Sequence, residues 1–307
     1  MMKQWIKSNS RIKIGLGLIG LVLVLSLVGF LSLRALQGRG LGLRSLPRNI
    51  ISAVRAVNDR QTVSQYNQGK FTNVIFLHHS TGENLILQGG VRELFTQAGY
   101  DFWDHGYNPQ GLRDPTGKYT GYSYIVPRDN TDPDGMARIF SQRVYDIPIN
   151  TLSGLLQHEV IIIKSCFAPA NNIKSDGQLE TYKSWYLGVR DTMDRYPDKT
   201  FVIVTSPPLN PAETNSEEAT RARAFADWLK SEEFLSGHPN IFTFDLFGNL
   251  AEENPAATDF NMLRQTYRNG GDSHPNQLAN ETIGPVLVDF VTEAIGGQEA
   301  GVSLEIR

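Results

Sequence analysis

Short apolar runs alternate with helical patterns from about residue 71 to residue 297 of the chain. Four runs rich in β-branched and aromatic residues are typical of buried strands: residues 74–77, 159–165, 200–206 and 240–247. Segments with helical periodicity lie between and after them: residues 85–100, 179–196, 216–234 and 277–295. Continuous apolar strands that alternate with helices indicate a parallel sheet covered on both faces. The pattern therefore predicts one α/β domain over residues 71–297.

Two features modify this pattern. Gly89 and Gly90 weaken the first half of the helix over residues 85–100, and Ser216 is the expected N-cap of the helix that follows it. Residues 100–146 are rich in Gly, Pro, Asp, Asn and Tyr and predict one long loop. A loop this long in a compact domain is usually functional. We expect its aromatic side chains to shape a substrate cleft over the sheet edge: Trp103, Tyr107, Tyr119, Tyr122 and Tyr124.

The N-terminal region has a different pattern. An uncharged apolar run within residues 14–34 is about as long as a membrane-spanning helix, and the short segment 1–13 before it is basic. We expect an uncleaved single-pass anchor with the large domain on the extracytoplasmic side, although arginines after the span leave little charge asymmetry. A linker and amphipathic stalk over residues 35–70 and a tail over 298–307 complete the predicted organisation.

Composition adds two exclusions. The 307 residues are 40% hydrophobic and 20% charged, with a formal net charge of −3, so nothing in the balance indicates a nucleic-acid partner. Cys166 is the single cysteine, which excludes an intramolecular disulfide and a cysteine-rich zinc site.

Polar residues end the first strand and precede the last helix. His78, His79 and Ser80 follow the apolar run "NVIFL", and Asp272 and His274 lie in "GGDSHPNQ". A hydrolytic serine needs a base to take its proton and a carboxylate to orient that base. The two segments supply all three groups. The alternative for the second segment is a helix-entry turn with no chemistry.

The strand–"HHSTG"–helix segment and the later "DSHPN" together resemble the SGNH/GDSL hydrolase superfamily. This resemblance implies a flavodoxin-like three-layer sandwich, serine esterase or lipase-like acyl chemistry, and no cofactor or metal. By position, Ser80 would be the nucleophile, His274 the base and Asp272 its orienting acid. The chain departs from the family in having His78-His79 where a Gly-Asp pair is usual, and in an Asp-x-His spacing shortened by one residue.

The resemblance also implies oxyanion donors, a glycine after the second strand and an asparagine after the third. The best match for the glycine is Gly106, with Asn108 close by, and the asparagine would be Asn171 or Asn172. His79 is a further candidate for hydrogen bonding within the site. These positions lack the family's Gly-x-Asn-Asp block.

Three alternatives remain open from the sequence. A metal site could be formed by six residues from three segments: His78, His79, Asp104, His105, Asp272 and His274. Cys166, at the same predicted sheet edge, is an alternative nucleophile. A tethered, non-catalytic binding module is the third. We favour a membrane-anchored serine hydrolase that cleaves an acyl ester, with O-acetyl groups on a glycan as the expected substrate and acyl transfer as a variant of the same chemistry.

Overall fold

The computed structural model describes residues 46–165 and 170–299. The predicted anchor over residues 14–34, Cys166 and nearly all of the C-terminal tail therefore lie outside the described residues. Within the described ranges, no helix combines the length and the apolar character needed to cross a membrane. The chain divides into two compact units, residues 1–56 and 57–307. Apart from residues 46–56, which are in the first unit, the elements below belong to the second unit.

A six-stranded sheet forms the centre of this unit, in the order β3–β2–β1–β4–β5–β6. Its strands are β1 (Asn73–Leu77), β2 (Asp101–His105), β3 (Leu112–Arg113), β4 (Val160–Lys164), β5 (Thr200–Val204) and β6 (Ile241–Phe244). All neighbours pair in parallel except β2 and β3. Without the edge strand β3, the order is that of a flavodoxin-like sheet. The predicted α/β class and parallel sheet are confirmed.

Helices connect the strands and cover the sheet. Their bounds are α1 (Leu46–Ser64), α2 (Ser80–Leu87), α3 (Val91–Gln97), α4 (Pro133–Phe140), α5 (Thr151–Leu155), α6 (Asp176–Met193), α7 (Ser216–Lys230), α8 (Glu232–Leu235), α9 (Leu246–Leu250) and α10 (Gln277–Glu299). Side chains of α2, α3 and α10 share one apolar core with Val74, Phe76 and Ile162 of the sheet. Side chains alternate along a strand, so Ile75 and Ile161 point to the opposite face.

Two local expectations need correction. The helix predicted over residues 85–100 is two helices, α2 and α3, because Gly90 has a positive φ of 65° that ends the helical path. The N-cap of α7 is Asn215, whose side chain accepts hydrogen bonds from the amides of Glu217 and Glu218, and not the predicted Ser216.

The region predicted as one long loop, residues 100–146, contains strands β2 and β3 and helix α4. The sequence "DFWDH" was not predicted as a strand because polar residues flank its two apolar positions. Phe102 and Trp103 are nevertheless fully buried in β2. Tyr122 and Tyr124 are also buried in the core. Trp103, Tyr122 and Tyr124 were expected in a cleft, but they are packed in the interior and stabilise the domain.

Candidate active site

The predicted nucleophile lies at the point where the strand order reverses. On one side of the sheet β1 is followed by β2 and β3, and on the other side β4 is followed by β5 and β6. Ligands of such sheets bind beyond the carboxyl ends of the strands, at the junction between these two halves. After β1, His78 and His79 lead directly into α2, whose first residue is Ser80. The half-buried Ser80 hydroxyl is thus at the ligand-binding edge.

Ser80, His274 and Asp272 form a continuous hydrogen-bonded chain. The Oγ atom of Ser80 is 2.8 Å from Nε2 of His274, and Nδ1 of His274 is 2.7 Å from Oδ1 of Asp272. The same carboxylate oxygen accepts the backbone amide of His274 at 3.0 Å. This amide, more than any other group, lowers the pKa of Asp272, which the side chain of His274 lowers further. An ionised Asp272 accepts a proton-bearing Nδ1 of His274, so Nε2 is the acceptor for the Ser80 hydroxyl.

A polar network centred on the buried Asn210 and Ser273 holds the loop that carries Asp272 and His274. The side-chain amide of Asn210 donates to the carbonyls of Gly270 and Asp272, at 3.0 and 3.1 Å. The backbone amide of Asn210 donates to Ser273, whose hydroxyl in turn donates to Glu213. Asn210, Ser273 and Glu213 were not predicted as site residues, because the segment "PPLNPAE" after β5 indicates only a turn.

His78 supports the turn below the serine. Its Nδ1 is 2.9 Å from the carbonyl oxygen of His79, and its Nε2 is 3.2 Å from Oδ2 of Asp104. The other oxygen of Asp104 pairs with Arg92. Both neighbours of the ring are acceptors, and burial lowers the pKa of His78 to about 4, so the neutral ring has one proton to donate to them. His78, Asp104 and Arg92 are all buried, and their contacts support the turn.

His79 has a different environment. Its ring stacks on Tyr107, with centroids 4.1 Å apart, and Nδ1 is 3.2 Å from the hydroxyl of Thr131. Nε2 is buried and has no hydrogen-bond partner among the described residues. Burial lowers the pKa of His79 to about 3, and the nearby ammonium of Lys164 lowers it further. The ring is therefore neutral at physiological pH.

The predicted oxyanion donors fall into two groups. A Cβ on Gly106 would lie 3.5 Å from Cε1 of His78, so this glycine adjoins the turn that carries Ser80. Asn108 instead uses its amide to bind the carbonyl of Val126, and Asn171 donates to the carbonyls of Ser206 and Pro207. These two amides hold loops. Oδ1 of Asn172 is buried without a partner in the described part of the chain.

The residues proposed as metal ligands are not gathered into one cluster. Over the described ranges, no group of three or more His, Cys, Asp or Glu side chains is arranged to hold a metal ion. His78 is bound to Asp104, and Asp104 to Arg92. His105 contacts the carbonyl of Gly106 through Nδ1, and its Nε2 accepts the amide of Tyr124.

No family model matches the chain. No curated protein matches its sequence.

Solved structures that are similar to the chain at low identity include the following three. A candidate platelet activating factor from Streptococcus pneumonia is 12% identical and covers 82% of this chain and 100% of its own, with a TM-score of 0.45. A candidate acylhydrolase from Bacteroides fragilis is 10% identical and covers 77% and 95%, with a TM-score of 0.46. A GDSL-like lipase from Bacteroides thetaiotaomicron is 9% identical and covers 78% and 98%, with a TM-score of 0.45.

Proposed function

We propose that this protein is a serine hydrolase that cleaves an acyl ester through an acyl-enzyme. The observation that carries the proposal is the unbroken chain of hydrogen bonds from Ser80 through His274 to Asp272. A nucleophile within reach of a base, with the base oriented by a carboxylate, is the arrangement that activates a serine hydroxyl.

In the proposed mechanism, Nε2 of His274 takes the proton of Ser80 as Oγ attacks the ester carbonyl. Asp272 stabilises the resulting imidazolium, which then protonates the departing alcohol oxygen. The acyl group remains on Ser80 until water, deprotonated by the same imidazole, attacks it and releases the acid. In each half-reaction His274 takes one proton and gives it up again, to the alcohol in the first and to Oγ of Ser80 in the second, after which the resting state is restored.

Backbone amides are the proposed oxyanion donors. The first amides of a helix have no partner within that helix, so those at the beginning of α2 are free to bind the developing negative charge. Gly106, which adjoins the same turn, is the second proposed contributor. The side-chain amides of Asn108 and Asn171 are not proposed as oxyanion donors, because both donate to carbonyls elsewhere.

The acyl group is proposed to be short. An apolar crevice next to the catalytic residues is lined by Thr81, Leu85, Leu246, Pro275 and Ile283, among others, and it has no room for a water molecule. A long acyl chain would have to displace these packed side chains. An acetyl group needs no such space, and an O-acetylated glycan is the proposed substrate.

We also propose that the apolar run in residues 14–34 anchors the protein in a membrane with its catalytic domain outside the cytoplasm. Its length and lack of charge support this. Release of the full chain from membranes by alkaline carbonate, without detergent, would contradict the anchor.

The activity is tested by hydrolysis of p-nitrophenyl acetate by the full chain in detergent. We expect turnover that Ser80→Ala reduces at least 10³-fold and that EDTA leaves intact. Turnover that survives Ser80→Ala but is lost with EDTA would assign the activity to a metal-dependent site instead.

A further inference from the structure

A cavity of about 350 Å³ lies outside the proposed active site, between the first turn of α4 and the N-terminal half of α6. Asp132 and Asp134 line it from α4 and its cap, and Gln178, Tyr182 and Trp185 line it from α6. Nothing in the proposed mechanism uses these side chains.

The cavity adjoins the active site through one loop. Thr131 contacts the ring of His79, which precedes the proposed nucleophile, and the next residue is Asp132. Because consecutive Cα atoms are about 3.8 Å apart, Asp132 is within roughly 10 Å of the His79 ring. This separation, from the cavity lining to the residue that precedes Ser80, is comparable to one or two sugar units of a polysaccharide.

The lining combines an aromatic platform with hydrogen-bonding groups. Tyr182 and Trp185 stack with centroids 5.5 Å apart and an interplanar angle of 25°. Trp185 is only half-buried, so part of its ring is accessible. Thr181 donates its hydroxyl proton to the carbonyl of Gly177 and therefore keeps its oxygen as an acceptor toward the cavity. Flat apolar rings suit the C–H face of a pyranose, and the polar groups suit its hydroxyls.

The charge of the lining favours a neutral ligand. Arg138 pairs with both oxygens of Asp134 and cancels its charge. Oδ1 of Asp132 accepts the amide of Gly135 at the beginning of α4, where the helix dipole stabilises a carboxylate. Both carboxylates of the lining are thus compensated, and the lining has no lysine or arginine side chain to bind an anion.

We propose that this cavity is a sugar-binding subsite that holds a pyranose unit of the polysaccharide carrying the ester, with Trp185 as its stacking platform. The inference rests on the proposed function, because it assigns the alcohol part of the substrate of that same site. It predicts that recognition of the glycan is separable from the chemistry at Ser80.

The test compares two substrate types with the full chain in detergent. One is p-nitrophenyl acetate, and the other is a set of chemically O-acetylated hexasaccharides of β-linked glucose, xylose, mannose and N-acetylglucosamine. The readout is kcat/KM on the best hexasaccharide divided by kcat/KM on p-nitrophenyl acetate. We expect Trp185→Ala to lower this ratio at least tenfold, mainly through KM, and Trp185→Phe to restore part of it.

Lys183→Ala is the matched control, because Lys183 is on the same helix but pairs with Glu180 and Trp228 away from the cavity. Its ratio should stay within twofold of the wild-type ratio. If wild-type protein hydrolyses p-nitrophenyl acetate through Ser80 but Trp185→Ala leaves the ratio unchanged for every hexasaccharide, the subsite is refuted and the proposed function stands. Failure to hydrolyse any of the esters would overturn both.

Discussion

At the residue scale, Ser80 depends on a turn only two residues long. His79 has an extended backbone, with φ of −130° and ψ of −154°, and Ser80 is already helical. His78 fixes this turn through the carbonyl of His79, which also accepts the amide of Glu83 in α2. The serine hydroxyl and the unpaired amides of the helix therefore occupy one small region at the sheet edge.

Asp272→Asn tests the role of the carboxylate. The substitution keeps the size of the side chain but removes the charge that stabilises an imidazolium at His274 and selects its tautomer. We expect kcat on p-nitrophenyl acetate to fall by about 10²–10⁴-fold with little change in KM. Asp289→Asn, at an exposed position of α10, is the control and should change nothing. A loss smaller than threefold would remove Asp272 from the mechanism.

At the element scale, the distance between Ser80 and His274 is determined by how α2 and α10 pack. Gly89, just after α2, meets Gly284 of α10 with almost no intervening atoms. A Cβ on Gly284 would lie 2.2 Å from the carbonyl oxygen of Gly89, and a Cβ on Gly89 would lie 2.5 Å from that of Asn280. Since α2 begins at the nucleophile and α10 begins just after the base, this close approach positions both.

Gly284→Ala should therefore reduce both stability and activity. Backbone atoms obstruct the new methyl group, so the helices must separate, and we expect a loss of about 1–3 kcal/mol in the free energy of unfolding. Gly188→Ala is the matched control, because its Cβ would meet nothing within 4 Å in the middle of α6. It should stabilise the protein by about 0.5–1 kcal/mol. Urea unfolding of both variants measures this, and equal effects would refute the packing argument.

Some secondary-structure elements of the fold could be predicted from the sequence, and others could not. The four strands with continuous apolar runs were predicted within a few residues, because burial on both faces leaves an unambiguous pattern. Strand β2 was missed, since Asp101, Asp104 and His105 make its pattern polar although Asp104 is buried against Arg92. That pairing is a long-range contact, and a local pattern contains no signal for it.

At the scale of the whole molecule, buried titratable groups link folding to pH. Burial lowers the pKa of His79 to about 3 and the pKa values of His78 and His105 to about 4, and it lowers the pKa of His158 well below 6.5. Each is neutral in the folded protein and protonates on unfolding below pH 6.5, so its contribution to stability is lost as the pH falls from 6.5 towards the folded pKa. Asp59 acts in the opposite direction, because burial raises its pKa to about 7 and its contribution is lost as the pH rises through 7.

These groups predict a stability maximum near pH 6.5–7. Between pH 6 and 4.5, four histidines outweigh one carboxyl, so the free energy of unfolding should decrease by about 3–4 kcal/mol per pH unit of acidification. Urea titrations at pH 4.5, 5.5, 6.5 and 7.5 measure it. Stability that is constant or increases on acidification would show that these histidines are charged in the folded state.

The candidate site was only partly accessible from the sequence for a related reason. Ser80, Asp272 and His274 are in short segments next to element boundaries, where a strand end or helix start restricts their position. Asn210, Ser273 and Glu213 form their contacts between segments about 60 residues apart, and only the folded chain brings them together. The same applies to Asn108 and Asn171, whose amides have partners that no local pattern specifies.

The most direct test of the central claim is covalent labelling of the full chain by a fluorophosphonate, read by peptide mass spectrometry. We predict one phosphonylated peptide, modified at Ser80, with labelling lost in Ser80→Ala and slowed at least 100-fold in His274→Ala. Absence of labelling in the folded wild-type protein, or an adduct at any residue other than Ser80, would contradict the account.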